Sequence, residues 1–434
     1  MRLLPLLYAA CAAAAAESCT AVDVLDSAMD SINTDLRALL CQAATFSSTT
    51  PPRWSLFSAP KPSIVVNVAT EKDVADTVKY CVKHNIPFFA QNGGSGWAAL
   101  NVTNGVVINI APLNSITFNE ARDQATVQGG ANMEQVIKAG NASKSFVLTG
   151  NCNCVGALGA YLGGGYGNLM GEYGFGVDNV ISFNVVNATG DLQEVTKASD
   201  PDLFWALLGA GPNFGIVTSA VIKAYPQTDL TGFSTALVFP GEQITEVVKA
   251  VEALRPNLLP SQNVFLYLTN NNGPVILVTG FLLHATVEQG KAAFAGLYAL
   301  NPVFENSGVL PWDQWNAAAD SFCLREQRKP GHTVGLTSLH PEQWKEIWEL
   351  YLSFRNKDGA ENSVVIVEIY NLSKPRSLGS SSSASFAHRD VNAQAVVIPW
   401  YSDASLDTDA LAFAQRVRNI WKSTESKFTS YINF

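Results

Sequence analysis

Cys152 stands just ahead of a glycine-dense loop in the stretch GNCNCVGALGAYLGGGYGNLMGEYGFGVDN, residues 150–179. A second cluster, Asn92-Gly93-Gly94-Ser95-Gly96, lies upstream. Glycine lets a backbone reach positive φ and come close to a ligand, so that amide hydrogens can point at phosphate oxygens. Two such loops, each after a strand-like run and separated by a thiol, point to a large phosphate-bearing cofactor held at both ends. The second loop, Gly156–Gly167, carries six glycines beside Tyr161 and Tyr166, more small residues than a surface turn requires. The first cluster alone reads equally well as a strand-ending turn.

Other chemistries find little support. The five histidines (His84, His284, His332, His340, His388) are scattered without i,i+4 pairing, and no His or Cys stands at zinc spacing from Cys152 and Cys154. No metal site is expected. There is no Walker-type lysine and no Gly-x-Ser-x-Gly elbow. Cys152 and Cys154 could be one partner each of a distant disulfide, or two inert buried thiols.

The 434 residues are 47% hydrophobic and 15% charged, a composition with ample core for more than one domain. A net charge of −9 argues against nucleic acid or an anionic membrane as partner. Residues 1–16 combine Arg2, a short apolar run and Ala14-Ala15-Ala16, the pattern of a secretory signal peptide. No second apolar stretch approaches the roughly 20 residues of a membrane span, so a soluble, secreted mature chain is expected. Four sequons, at Asn101, Asn141, Asn187 and Asn371, agree with a glycoprotein on that route. Export places the cysteines where they can pair. Cys19 and Cys41 flank a helical pattern, Val22–Leu40, whose unbroken length would part them by roughly 30 Å. Asn33 and Thr34 are good N-cap residues, so the expectation is a break there and a Cys19–Cys41 bridge.

The elements that must position the loops follow in β-α-β order. Ser63–Val68 is a strand, Thr70 and Asp73 form a near capping box, and Val74, Val78, Cys81 and Val82 stripe the helix Glu71–His84. Strands are expected at Pro87–Ala90, Val106–Ile110 and Ala125–Gln128, an order that resembles nucleotide-binding α/β architecture. After the second loop, Val180–Asn187 and Gln193–Val195 make a hairpin, Asp202–Leu208 a helix and Ile216–Tyr225 a long strand. Beyond 226–232 come helices Glu242–Leu254 and Glu342–Phe354 with strands Val264–Leu268, Val275–Leu283, Ser363–Tyr370 and Ala393–Pro399. That is the pattern of a separate α+β domain, with a serine-rich loop, Ser377–Ser385, at its edge.

Ser63–Tyr225 resembles the FAD-binding domain of the berberine bridge enzyme-like oxidases, within the vanillyl-alcohol-oxidase superfamily of PCMH-type flavoproteins. The motifs are Pro-Ser-Ile-Val-Val-Asn-Val from Pro62, Asn92-Gly-Gly-x-Gly-Trp97, Gly150-x-Cys152-x-x-Val155-Gly156, Gly163-Gly-Gly-Tyr-Gly167, Tyr173-Gly174, Val177-Asp-Asn-Val180, Asp202-Leu-Phe-Trp205 and Gly211-x-Asn213-Phe-Gly-Ile-Val-Thr218. A weaker resemblance continues through Glu368-Ile-Tyr370, Phe386-Ala-His388-Arg389 and Trp400 to Tyr431-Ile-Asn-Phe434. It implies an α+β fold: a signal peptide at 1–16, an FAD domain of two α/β subdomains at 17–230, and a substrate domain at 231–405 whose antiparallel sheet is flanked by helices. Residues 406–434 would return to the FAD domain, ending where members of the family continue.

The resemblance implies FAD contacts at Asn92, Gly93, Gly94, Ser95, Gly96, Cys152, Val155, Gly156, Gly159, Gly164, Asn213 and Val217. Members often tether FAD through a histidine and a cysteine. Cys152 occupies the cysteine position and Ser95 the histidine position, so FAD is expected to be linked once, through Cys152, or not at all. Where many members end Tyr-x-Asn-Tyr, with the last phenol as base, this chain has Phe434. Glu368 remains the acid candidate, although alternation alone leaves its strand face undecided. On the strand before Trp400, alternation puts Asn392, Gln394, Val396 and Ile398 on one face, and Gln394 is the second candidate. The expected function is an FAD-linked oxidase or dehydrogenase taking hydride from a small organic molecule of secondary metabolism, with O2 as electron acceptor. A redox-silent isomerase or cyclase, or an inactive binding protein, is the alternative. Oligomeric state is not legible.

Overall fold

The computed structural model describes residues 31–96, 102, 104–379, 383–431 and 433. The expected leader, Cys19, Trp97, Asn101 and Phe434 lie outside the described residues, and the Cys19–Cys41 bridge with them. The break at Asn33 does not occur, because residues 31–39 form one helix. Asn33 Oδ1 accepts from Arg37 Nε, one turn on, at 3.1 Å instead of capping a new helix. Cys41 instead meets Asp73, which receives its amide at 2.9 Å and its thiol at 3.1 Å.

The first sheet holds β1 (Thr45–Ser47), β2 (Ile64–Asn67), β3 (Phe88–Gln91) and β4 (Val106–Asn109) in the order β1-β2-β4-β3. β2, β4 and β3 are parallel, and β2 and β4 read as continuous Val/Ile runs because both their faces are covered. The helix Glu71–Lys83 starts at the expected capping box of Thr70 and Asp73 and buries Val74, Val78 and Cys81. The second sheet is antiparallel, with β5 (Ile116–Phe118), β6 (Gln124–Gln128), β8 (Val180–Val186), β9 (Leu192–Thr196) and β10 (Ile216–Lys223) in the order β5-β6-β10-β8-β9. A small ribbon pairs β7 (Ser145–Phe146) with β11 (Tyr225–Pro226).

The third sheet is antiparallel throughout and has seven strands: β12 (Thr231–Phe239), β13 (Gln262–Asn270), β14 (Pro274–Leu283), β15 (Phe304–Pro311), β16 (His332–Leu336), β17 (Val364–Tyr370) and β18 (Ala393–Ile398). Their order is β15-β12-β14-β13-β17-β18-β16. Period-two alternation divides β17 cleanly. Val365, Val367 and Ile369 join Ala393, Ala395 and Val397 under the helices Ile244–Leu254, Trp344–Arg355 and Asp407–Lys422. Ile366 packs on the other face with Val396, Ile398, Tyr267, Trp54 and Phe322. The fold is α+β, as expected: a mixed sheet and an antiparallel sheet carry the glycine loops, and a large antiparallel sheet covers them.

A buried ion pair fastens the loop segment to the large sheet. Arg389, just ahead of β18, gives Nη2 to Asp178 Oδ1 at 2.6 Å and Nη1 to Asp178 Oδ2 at 3.1 Å. Both side chains are under a tenth exposed, and Asp178 Oδ2 also accepts the Phe175 amide at 2.9 Å. Removing one partner strands the other charge out of water. Arg389→Met is therefore expected to destabilise the protein by about 3–5 kcal/mol, read as a lowered denaturant midpoint, and Asp178→Asn in the same chain to restore part of the loss.

Candidate active site

The strand β3 ends at Gln91 and hands the chain to the first glycine cluster. Asn92 fixes the exit: its Nδ2 donates to Gly129 O at 2.8 Å and Ala131 O at 3.0 Å. The second loop then passes directly against the first. A Cβ on Gly93 would stand 3.0 Å from Gly156 N and 3.1 Å from Cys154 O, and one on Gly156 would stand 2.7 Å from Asn92 Nδ2. Gly93 thus lets backbone approach backbone, and Gly156 makes room for the Asn92 side chain.

None of the amides of Gly93, Gly94, Ser95 and Gly96 donates to a backbone carbonyl among the described residues. A Cβ on Gly96 or Gly159 would meet open space. Two arginines hold the cluster from behind: Arg53 Nη2 donates to Gly96 O at 2.6 Å and Arg325 Nη1 to Gly93 O at 2.7 Å. Motif reading misses both. Arg325 comes from 232 residues away, so no local spacing betrays it. Unused amides, open backbone and two adjacent cations are the features that suit an anionic diphosphate.

Of the twelve implied contacts, Ser95, Cys152 and Val155 line the cavity between the loops and the large sheet, and Gly164, Asn213 and Val217 are among those that do not. Gly164, at φ +135°, is required because its Cβ would strike the Phe386 ring at 2.5 Å. Asn213 is exposed and donates to Ala210 O at 3.0 Å. Val217 is buried in β10 against Val185. None of the three lines the cavity between the loops and the large sheet.

That cavity has a volume of about 200 Å³. Ser95, Cys152 and Val155 face it from the loops; Tyr267, Ile366, Glu368 and Ile398 face it from the sheet; Trp54, Phe322 and Tyr431 close its ends. Glu368 is the one carboxylate in the wall among the described residues. Its Oε2 accepts from Tyr370 Oη at 2.6 Å, and Tyr370 Oη in turn accepts from Asn151 Nδ2 at 2.8 Å. Asn151 is oriented by the Asn168 amide, which donates to its Oδ1 at 3.0 Å. Burial raises the Glu368 pKa to about 7, against the opposing pull of the Tyr370 hydrogen bond. The phenols nearby behave differently: burial pushes Tyr166 and Tyr370 well above their ordinary range and Tyr431 up to about 12. Glu368 is thus poised to exchange a proton near neutrality, and the phenols stay protonated.

Gln394 sits opposite Glu368 in the β17–β18 register. It is buried and does not reach the cavity; its Nε2 donates to Tyr166 Oη at 2.8 Å. Its geometry is that of a residue positioning Tyr166, which does line the cavity. Tyr166, Tyr267, Tyr370 and Asn151 escape sequence reading as site residues, because each is brought in by a long-range contact.

The cysteines form a cluster that spacing did not disclose. Cys154 is joined to Cys323, 169 residues on, and Cys152 is left as a free thiol. The Cys152 Sγ lies 3.6 Å from Cys154 Sγ and 3.7 Å from Cys323 Sγ. Burial pushes the Cys152 thiol up to about 11.

The chain is similar to known proteins in sequence and in fold. Residues 62–196 match a family model described as an FAD binding domain. The chain is 30% identical over 375 residues to the FAD-linked oxidoreductase tazG of Aspergillus terreus, covering 83% of this chain and 76% of that protein. It is 36% identical over 324 residues to the FAD-linked oxidoreductase afoF of Emericella nidulans, covering 72% of this chain and 66% of the relative. Among solved structures, Physcomitrella patens BBE-like 1 superposes with a TM-score of 0.81 at 17% identity, over 93% of this chain and 90% of the other. A carbohydrate oxidase from Microdochium nivale superposes with a TM-score of 0.77 at 19% identity, over the same shares.

The raised Glu368 pKa has a consequence for stability with a definite sign. Between the ordinary value of 4.5 and about 7, the unfolded chain loses this proton while the folded one keeps it. Folding is therefore progressively disfavoured as pH rises through that window. Glu368→Gln escapes this loss. The variant is expected to match the wild type below pH 4.5 and to exceed it in denaturant midpoint above pH 7, as pH-dependent urea titrations will read.

Proposed function

Because this chain belongs to the berberine bridge enzyme-like family of FAD-linked oxidoreductases, we propose that it oxidises a small, largely apolar organic molecule held between the glycine loops and β17, with Glu368 as proton acceptor. Bound there, FAD would supply the hydride acceptor, with O2 as the proposed final electron acceptor. The protein's part is to hold the cofactor, orient the substrate and take the proton. Asn92, Gly93, Gly94, Ser95, Gly96 and Gly156 would hold the diphosphate, with Arg53 and Arg325 supplying positive charge behind the loop.

The observation that supports Glu368 in this role is its place in the cavity wall. It faces the loop carrying Cys152, and one oxygen is already occupied by Tyr370. The other oxygen is left for the substrate's proton. A base with a pKa near 7 has the best compromise between being deprotonated and holding the proton it takes. The walls of Trp54, Tyr267, Phe322, Ile366 and Ile398 exclude water and offer few polar groups, which favours a ring-bearing metabolite over a heavily hydroxylated one. Asn151 and Tyr370 keep the carboxylate in one orientation.

Cys152 is the proposed single covalent anchor for the flavin; Ser95 provides no imidazole for a second. The thiol's place on the cavity wall supports this. Secretion is likewise proposed, and the Cys154–Cys323 disulfide supports it, because such bonds persist in oxidising compartments.

The purified protein is expected to be yellow and to keep flavin absorbance in an acid precipitate, lost in Cys152→Ala. A colourless protein would overturn the oxidase reading. With a turned-over substrate, kcat/KM should rise with pH through a midpoint near 7. Glu368→Gln should lower it by at least about a hundredfold. Tyr370→Phe removes a hydrogen bond that favours the carboxylate, so the midpoint should move upward. A profile unchanged in both variants would exclude Glu368 as the base.

A further inference from the structure

Three cations gather around the first glycine cluster, and no carboxylate pairs with any of them among the described residues. Arg53 gives Nη1 to Gln91 Oε1 at 2.9 Å and Nη2 to Gly96 O at 2.6 Å. Its Nε is buried with no hydrogen-bond partner among the described residues. Arg325 gives Nη1 to Gly93 O at 2.7 Å and to Pro52 O at 2.6 Å. The third cation is Lys329, which is fully buried. Its Nζ donates to Trp54 O at 2.5 Å and to Leu324 O. The same nitrogen lies over the Trp54 and Trp400 rings, 4.7 and 4.3 Å from their centroids.

The two carbonyls that Lys329 joins belong to the neighbours of the two arginines: Trp54 follows Arg53, and Leu324 precedes Arg325. These segments run side by side, with Leu56 N donating to Gln327 O at 2.9 Å and Glu326 N to Arg53 O at 3.3 Å. They also reach the cluster through the backbone, since Trp54 N donates to Gly94 O at 3.0 Å. Both indoles are oriented from the Arg325 segment. Trp54 Nε1 donates to Phe322 O at 2.6 Å, and Trp400 Nε1 donates to Gln327 Oε1.

We infer that Lys329 is a positioning residue of the cofactor site: its ammonium ties the Arg53 and Arg325 segments together behind the glycine cluster, and the diphosphate is the counterion that this cationic group lacks. The inference rests on the FAD site proposed above. A buried cation without a carboxylate is costly, and an apolar side chain of similar length would fill the space without that cost. Three donors suit a group that must hold two carbonyls, and the indole faces attract its charge.

Without an anion the charge is disfavoured. Burial, with the like charge of Arg325, lowers the Lys329 pKa to about 8. Arg53 faces Gln91 and Gly96, Arg328 and Tyr401 both face Asp407, and Glu326 is exposed, so none of these offsets it. Between about 8 and 10.5 the folded chain releases this proton while the unfolded chain keeps it. This group's contribution to stability therefore rises with pH through that window. A bound diphosphate favours the ammonium, so by linkage loss of the proton weakens diphosphate binding.

The test is FAD affinity in the full mature chain carrying Cys152→Ala, where the cofactor can exchange, read by flavin fluorescence on titration. Affinity is expected to fall as pH rises past about 8. Adding Lys329→Met should weaken FAD binding at pH 7 by roughly tenfold or more and abolish the fall. The urea midpoint of the FAD-free protein at pH 7 should not drop. FAD affinity within about threefold of the parent, or a fall past pH 8 that persists in Lys329→Met, would overturn the inference. A urea midpoint lowered in step with binding would do the same, because it marks a structural brace. Should Lys329→Met fail to fold, the pH dependence of Cys152→Ala decides alone, and an affinity that stays flat past pH 8 overturns the inference. A Cys152→Ala chain that binds no FAD at any pH removes the cofactor reading and this inference with it, whereas FAD bound irrespective of Lys329 removes the inference alone.

Discussion

The contact between Gly93 and Gly156 is the constraint on which the rest of this structure depends. The chain leaving β3 passes the chain entering the second loop so closely that a Cβ on Gly93 would stand 3.0 Å from Gly156 N, and the Asn92 side chain would stand 2.7 Å from one on Gly156. That approach brings Cys152, Val155 and Ser95 to one cavity wall, and it leaves a run of loop amides with no backbone partner among the described residues. Shifting either loop outward by one methyl group would separate the features that suit a diphosphate from the thiol that faces the cavity. Asn92 locks the arrangement, because its side chain holds the Gly129–Ala131 turn and its exit requires Gly156 to be bare.

The opposite wall obeys a different rule. The strand β17 reads Val-Val-Ile-Val-Glu-Ile-Tyr, apolar on both faces except at Glu368, which lines the cavity, and Tyr370, whose hydroxyl donates to it. A carboxylate in such a strand is costly to ionise, and the hydrogen bond from Tyr370 only partly offsets that cost. The result separates Glu368 from the surrounding phenols by several pH units in acidity. A pKa near neutrality is thereby confined, among these side chains, to Glu368, though four tyrosines lie close to it. The aromatic rings that create the low-polarity setting also pack on one another, Tyr166 against Phe175, Tyr370 and Tyr431. The same residues that raise the pKa hold the wall rigid.

Much of this was legible in the residues. Capping at Thr70, the Val/Ile runs of β2 and β4, and the alternation along β17 and β18 are local signals, and the structure follows them. The fold and the cofactor class rested on ordered motifs spread over the first half of the chain. What stayed hidden depends on contacts between distant segments. The face of Glu368 could not be read from a strand apolar on both sides, and Gln394 turned out to hold Tyr166, a partner 228 residues away. Arg325 and Cys323 carry no motif around them. The break expected at Asn33 failed for the opposite reason: a good cap residue found its partner one turn further along the same helix.

The Cys154–Cys323 bond has a topological meaning beyond its chemistry. It closes a covalent ring that starts on the glycine loop, runs through the second sheet and most of the large sheet's strands, and returns across the cavity. Within that ring the two walls cannot swing apart at the cysteine edge in the manner of a hinged clam.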